Sequence, residues 1–164
     1  MRCYCESRIT SGNSHIEHME SRSRTPGRTY DGANLALSCN GGRGDHCGHY
    51  KDDRHRNPHH PWNAHLFSAP HDPATAGLFQ YLADGSVRAT SMDPEKANHM
   101  IGHLGLDCAR LQERRKRHAR GLANALGKQP DSGLVDWLRR EYLSPDEHGR
   151  LQEFLSLSKA ILTP

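Results

Sequence analysis

Apolar material is scarce in this chain. Only 34% of its 164 residues are hydrophobic and 6% are aromatic, and the mean hydropathy is −0.86. A chain of this length makes one domain, or a small module with a packed extension, and this one has little with which to fill a core. No apolar run approaches the ~20 residues needed to cross a bilayer, which excludes a spanning helix. The first residues carry no apolar stretch of the signal-peptide kind, so a cytoplasmic location away from membranes is expected. A strong excess of one charge is lacking too. The net charge of +3 is too mild to demand a nucleic-acid partner, so placement of the charges matters more than their sum. No internal repeat is present.

What the chain does hold is 13 histidines and 5 cysteines. In a reducing compartment cysteines favour metal over disulfides, and a metal can staple a fold that lacks a large core. Cys3 and Cys5 lie at one end of a polar, Gly- and Ser-rich segment, and Cys39 and Cys47 at the other. Four thiolates in two pairs suit tetrahedral zinc, although Cys-x-Cys and a seven-residue gap depart from the usual spacing. Cys108, at a helix start away from these, reads as a buried bystander.

Composition changes near residue 60, and three regions follow: 1–60, a connection with a hairpin over 61–90, and helices over 91–164. The overall class is α+β. "LFQYLADGSVRAT" predicts a β-hairpin with Asp84-Gly85 as a two-residue turn. Asp93 and Pro94 open a helix with Ala97, Met100, Ile101 and Leu104 on one face, stopped by Gly105. Asp107 opens a second, ended by Gly127; a third covers 133–143; the capping box at Ser144–Glu147 predicts a fourth running to Leu162.

Within the first region, Glu17-His18 is the pair with chemical meaning. Hydrolysis of a phosphodiester needs a base for water and a cation near the developing charge. Adjacent strand residues face opposite ways, so Glu17 can hold an ion while His18 addresses water, provided a bulge or strand end brings both to one cavity. Asn34, before the apolar "LALSC", can tie the intervening loop and orient His18.

"CYCE", "HIEHM", Asn34-Leu35, "LSCN" and "HCGHYK", in that order, resemble the HNH nucleases, and among them the PtuB-like proteins of Septu and retron anti-phage defence. "FQYLADGSVRAT" and "ANHMIGHLGLDCARLQERRKR" extend the resemblance to roughly residue 120. It implies a zinc-supported ββα-metal finger followed by a hairpin and a mostly helical region. It implies His18 as general base, Glu17 as a contact of a catalytic magnesium or manganese ion, and Asn34 as the orienting middle residue. Cys3, Cys5, Cys39 and Cys47 would hold structural zinc, and Arg22 and Lys51 would meet nucleic acid. Where the third family residue is expected stands Gly48, without a side chain; His49 is the expected substitute, with His46 next and Asp52 or Asp53 behind them. The implied activity is nicking of DNA, or of RNA including tRNA. The implied partners are a PtuA-like ABC/SMC-type ATPase and a retron reverse transcriptase with its nucleic acid. A catalytically silent zinc module that binds nucleic acid or protein is the reading from a different class.

Plainer roles are expected elsewhere. His15 reads as a solvated strand histidine, and His55, His59 and His60 as loop residues. Arg110, Arg114, Arg115, Lys116, Arg117 and Arg120 share one helix, as an exposed basic face, a phosphate-tracking surface or a dock for an acidic partner. Trp62, Trp137 and Phe154 read as core or interface.

Overall fold

The computed structural model describes residues 4–55 and 63–163, and the chain is α+β. Cys3, His59, His60 and Trp62 lie outside the described residues. Strand β1 (Ser14–His18) pairs antiparallel with β2 (Leu35–Cys39), with Glu17 opposite Ala36 and His18 opposite Leu35. A glycine-rich turn, Gly41–Gly44, leads into helix α1 (Cys47–His55), which packs on β2. A second hairpin follows, β3 (Phe79–Tyr81) with β4 (Val87–Ala89). Four helices complete the chain: α2 (Pro94–Leu104), α3 (Ala109–Leu126), α4 (Ser132–Leu143) and α5 (Leu155–Leu162). No helix among the described residues is long and apolar enough to cross a membrane.

The small apolar inventory is concentrated in one main cluster. Tyr4, Cys5, Cys39 and Cys47 join Phe79, Tyr81, Met100, Leu104, Leu111, Phe154 and Leu157 in it, so all three regions of the sequence contribute to the same core. A satellite of Leu122, Leu138 and Leu162 holds α3, α4 and α5 together. Asp93 caps α2 by accepting from Lys96 N, as its sequence predicts.

Three local expectations give way. The second hairpin closes through Ala83, Asp84 and Gly85 rather than two residues, with Leu82 N donating to Ser86 O at 3.0 Å. Helix α3 is capped at Cys108, because Asp107 instead accepts from Val87 N across the hairpin. The last helix starts at Leu155 and not at the capping box. Asp146 accepts from His148 N and Arg150 N, at 2.9 and 2.8 Å, and so closes a turn of its own in place of a helix. The helix N-terminus is served from the other end of the chain: Glu6 accepts from Ser156 N at 2.9 Å and Ser156 Oγ at 2.6 Å.

Candidate metal centre and adjoining cleft

Four ligand-type residues converge from three segments. Cys5 comes from the N-terminal strap, Cys39 from the end of β2, and His46 with Cys47 from the entry to α1. All are buried, and their ligand atoms lie within 4.8 Å of one another. Cys5 Sγ is 3.6 Å from Cys39 Sγ, and His46 Nδ1 is 3.2 Å from Cys47 Sγ and 3.8 Å from Cys39 Sγ. Zinc bonds of about 2.0–2.3 Å in a tetrahedron give edges of roughly 3.3–3.8 Å, so these atoms stand near ligand spacing. Burial pushes the His46 imidazole down, but hydrogen bonds and charge from Cys39 and Cys5 outweigh it and hold its pKa at about 10. A pocket that binds a proton so firmly suits a divalent cation, which displaces protons when its ligands close on it. Three thiols and one imidazole fit a structural metal such as zinc.

Of the expected zinc ligands, Cys5, Cys39 and Cys47 lie in this cluster, and Cys3 lies outside the described residues. His46, expected next after His49 as the substitute at the third family position, is instead buried in the cluster. The chain doubles back at Cys47, where φ is 62°, and the adjacent side chains of 46 and 47 meet the same centre. The adjacent His46-Cys47 pair was the signal in the sequence. Cys108 packs against the main core, away from the cluster.

Beside this centre, β1 breaks the usual inside-outside rule. Its inward residue Glu17 is 2% exposed, whereas Ile16 is 68% exposed. A strand that buries its acid and exposes its isoleucine is a departure of the kind found at functional sites. His18 is the last residue of the strand, and at this end Glu17, His18, Arg22, His49 and Asp52 line one cleft of about 490 Å³, together with His15.

Each wall of the cleft has an identifiable support. Buried Asn34 accepts from Glu20 N at 2.7 Å and donates through Nδ2 to Glu20 O and Arg28 O, at 3.0 and 3.1 Å. It thereby fastens both ends of the loop that follows His18. His18 Nε2 lies 3.0 Å from Thr29 O. A carbonyl only accepts, so Nε2 carries the proton in this contact and neutral His18 keeps its Nδ1 lone pair. His15 Nδ1 is 3.1 Å from Asn40 Oδ1, which by the same reasoning leaves Nε2 as an acceptor 3.3 Å from Glu17 Oε2. Two acceptors facing each other call for a shared proton or cation. The His49 ring stacks on His15 with centroids 4.2 Å apart.

Gly48 makes this crowding possible. A Cβ there would stand 2.1 Å from Glu17 Oε2 and 2.6 Å from His15 Nε2. Lys51 differs from its expected role. It is fully buried, its ammonium pairs with Glu17 Oε1, and it donates to His18 O at 2.5 Å. From there it braces the site from behind rather than facing a phosphate. Arg22 is exposed on the cleft wall. His15, expected to be merely solvated, belongs to the cleft; its i, i+2 relation to Glu17 was the available clue.

No protein-family model matches this chain, and no curated protein matches it.

The basic residues of α3 do not form one face. Arg115 is fully buried, donates from Nη1 to Leu106 O at 2.7 Å and lies 4.9 Å from the Tyr81 ring centre. Arg110 pairs with Asp45 at 2.8 Å and Arg114 with Glu153 at 2.7 Å, while Arg117 and Arg120 are exposed.

Proposed function

We propose that this protein is an HNH-type endonuclease: a zinc-supported ββα-metal finger that hydrolyses phosphodiester bonds of nucleic acid, DNA in the first instance, with magnesium or manganese. The observation that carries the reading is the meeting of Glu17 and His18, neighbours on one strand, at a single cleft with His49. Support comes from the order strand, strand, helix around a buried cluster of three cysteines and a histidine, and from the Asn34 clamp.

In this reading His18 takes the proton of the attacking water at Nδ1, while Thr29 O holds the Nε2 proton and supports the imidazolium that forms. Glu17 Oε2 is the hard oxygen donor that would hold a manganese or magnesium ion, and His15 Nε2 and His49 beside it are softer donors that would favour manganese of the two. That ion, when bound, stabilises charge on the phosphoryl and leaving oxygens. Arg22, which also lines the cleft, is the group to meet the phosphate. Lys51 pairs with Glu17 and holds the His18 backbone in place.

The decisive experiment is nicking of a supercoiled plasmid with and without manganese, by the wild type and by His18→Ala. Loss of nicking in the variant, with zinc content and far-UV circular dichroism retained, is the expected result; undiminished nicking removes His18 from the mechanism. Labelled DNA and tRNA assayed side by side distinguish the two substrates. The partners proposed on the resemblance are a PtuA-like ATPase and a retron reverse transcriptase, tested by co-purification.

Two observations favour a second reading, a catalytically silent zinc module. Lys51 already neutralises Glu17, and Gly48 supplies no ligand. One tight zinc per chain and no second, weaker manganese site by titration would select it.

A further inference from the structure

On the far side of Asn40 from the cleft lies a second groove, of about 500 Å³, behind the metal centre. Arg8, Arg110 and Arg114 line it, with His46, Asn13 and Asn40. Among the described residues, no carboxylate lines it. Asp45 and Glu153, the partners of Arg110 and Arg114, are not among its lining residues. The two recesses share a wall: Asn40 lines this groove, and the same residue bonds His15, which lines the cleft.

We infer that this groove is a second nucleic-acid contact, in which Arg8, Arg110 and Arg114 carry the phosphodiester backbone past Asn40 to or from the cleft. The inference rests on the nuclease reading for its direction, and on the groove itself for its chemistry. Three arginines along one groove match a ligand that presents regularly spaced negative charge, as a phosphodiester strand does. Arg110 and Arg114 are one helical turn apart on α3, and so project from the same face. Their carboxylate and hydroxyl partners hold them in place: Arg110 Nε donates to Asp45, and Arg114 donates to Ser7 Oγ at 2.9 Å as well as to Glu153. Each of these arginines is therefore pre-positioned by part of its guanidinium and has further N–H groups to offer. Opposite them the wall is backbone rather than bulk. A Cβ at Gly42 would come within 2.9 Å of Arg110 Cδ, so the glycine lets the Arg110 stem lie flat against the turn. The polar side chains of Asn13 and Asn40 suit sugar and phosphate oxygens, and among the described lining residues the one ring, the His46 imidazole, is buried in the metal cluster and gives a base no platform. Contact here is accordingly indifferent to sequence.

The test uses the full-length, zinc-loaded chain and two readouts. Binding of two unrelated fluorescent 20-base-pair DNA duplexes, and of an RNA duplex, is followed by anisotropy from low to moderate salt in calcium. Hydrolysis of bis(p-nitrophenyl) phosphate in manganese reports the cleft without needing the groove. The Arg8→Gln/Arg110→Gln double variant is expected to bind about tenfold more weakly to either sequence, with the slope of log K against log salt reduced by about 2. Its hydrolysis of the small ester and its zinc content should equal those of the wild type. Arg117→Gln/Arg120→Gln, on residues that do not line the groove, should change the affinity and the slope less than the groove variant does. Unchanged affinity and slope in the groove variant overturn the inference, as does a wild type that binds polyglutamate in preference to either duplex. If the wild type hydrolyses no ester but its duplex binding still depends on Arg8 and Arg110, the nuclease reading fails and the groove stands.

Discussion

At the scale of single residues, the most telling position is Gly48, which has no side chain at all. Its missing Cβ is the space in which Glu17 Oε2 and His15 Nε2 approach each other. Gly48→Ala is expected to push the carboxylate out of line and lower manganese-dependent nicking by about 10²-fold, the size of effect that small misplacements produce. Zinc content should not change, which plasmid assays and metal analysis of the same preparation check together. Lys51 makes the opposite point, since it is a cation used inside the molecule. Replacing it with Met leaves buried Glu17 without its counter-charge, and breaking such a pair costs about 3–5 kcal/mol. Urea unfolding of Lys51→Met should show that loss, whereas an exposed phosphate contact would have moved DNA affinity and left stability alone.

At the scale of elements, the N-terminal strap does more than deliver Cys5. Glu6, next in the chain, closes the N-terminus of α5 through Ser156, and Phe154 N donates to Glu6 O at 3.0 Å. The strap therefore links the metal centre to the last helix. Glu6→Ala should cost about 1 kcal/mol, as lost caps do, measured as a lower urea midpoint, and should fray α5 before the rest of the fold. Amide exchange at residues 156–159 is the direct check. The capping box at 144–147 fails for a related reason. Asp146 is strongly committed to its own turn, where hydrogen bonds from Arg150 and His148 hold its carboxyl below the ordinary range.

At the scale of the whole molecule, the modest core holds the three sequence regions together, and a cluster able to hold a metal ties the segments of the first. Chelation of zinc should loosen the strap, the first hairpin and α1 together, because each supplies a ligand. Circular dichroism during titration with a chelator should show a cooperative change that zinc reverses. Acid acts by a second route. Burial, followed by the charge of neighbouring His103, lowers His99 to about 4, and burial lowers His118 as well. Unfolded histidine titrates near 6.5. Above that value neither state holds the extra proton. As pH falls from about 6.5 towards about 4 the unfolded chain takes it up first, and stability declines. The urea midpoint of the zinc-loaded protein should therefore drop between pH 7 and pH 5, and drop less in His99→Leu.

The second hairpin, α2 with its Asp93 cap and Gly105 stop, and the apolar faces of α3 and α4 were legible in the sequence, because each rests on contacts between near neighbours in the chain. Helical and strand periodicity, caps and turns are local physics, and one chain states them openly. Tertiary structure alone decided which nitrogen or sulfur completes the metal centre, that Lys51 turns inward to Glu17, that His15 joins the cleft, and that the basic residues of α3 part company. Those outcomes depend on which distant segments share a volume, and on the rule that a buried charge or lone pair must find a partner wherever the fold brings one.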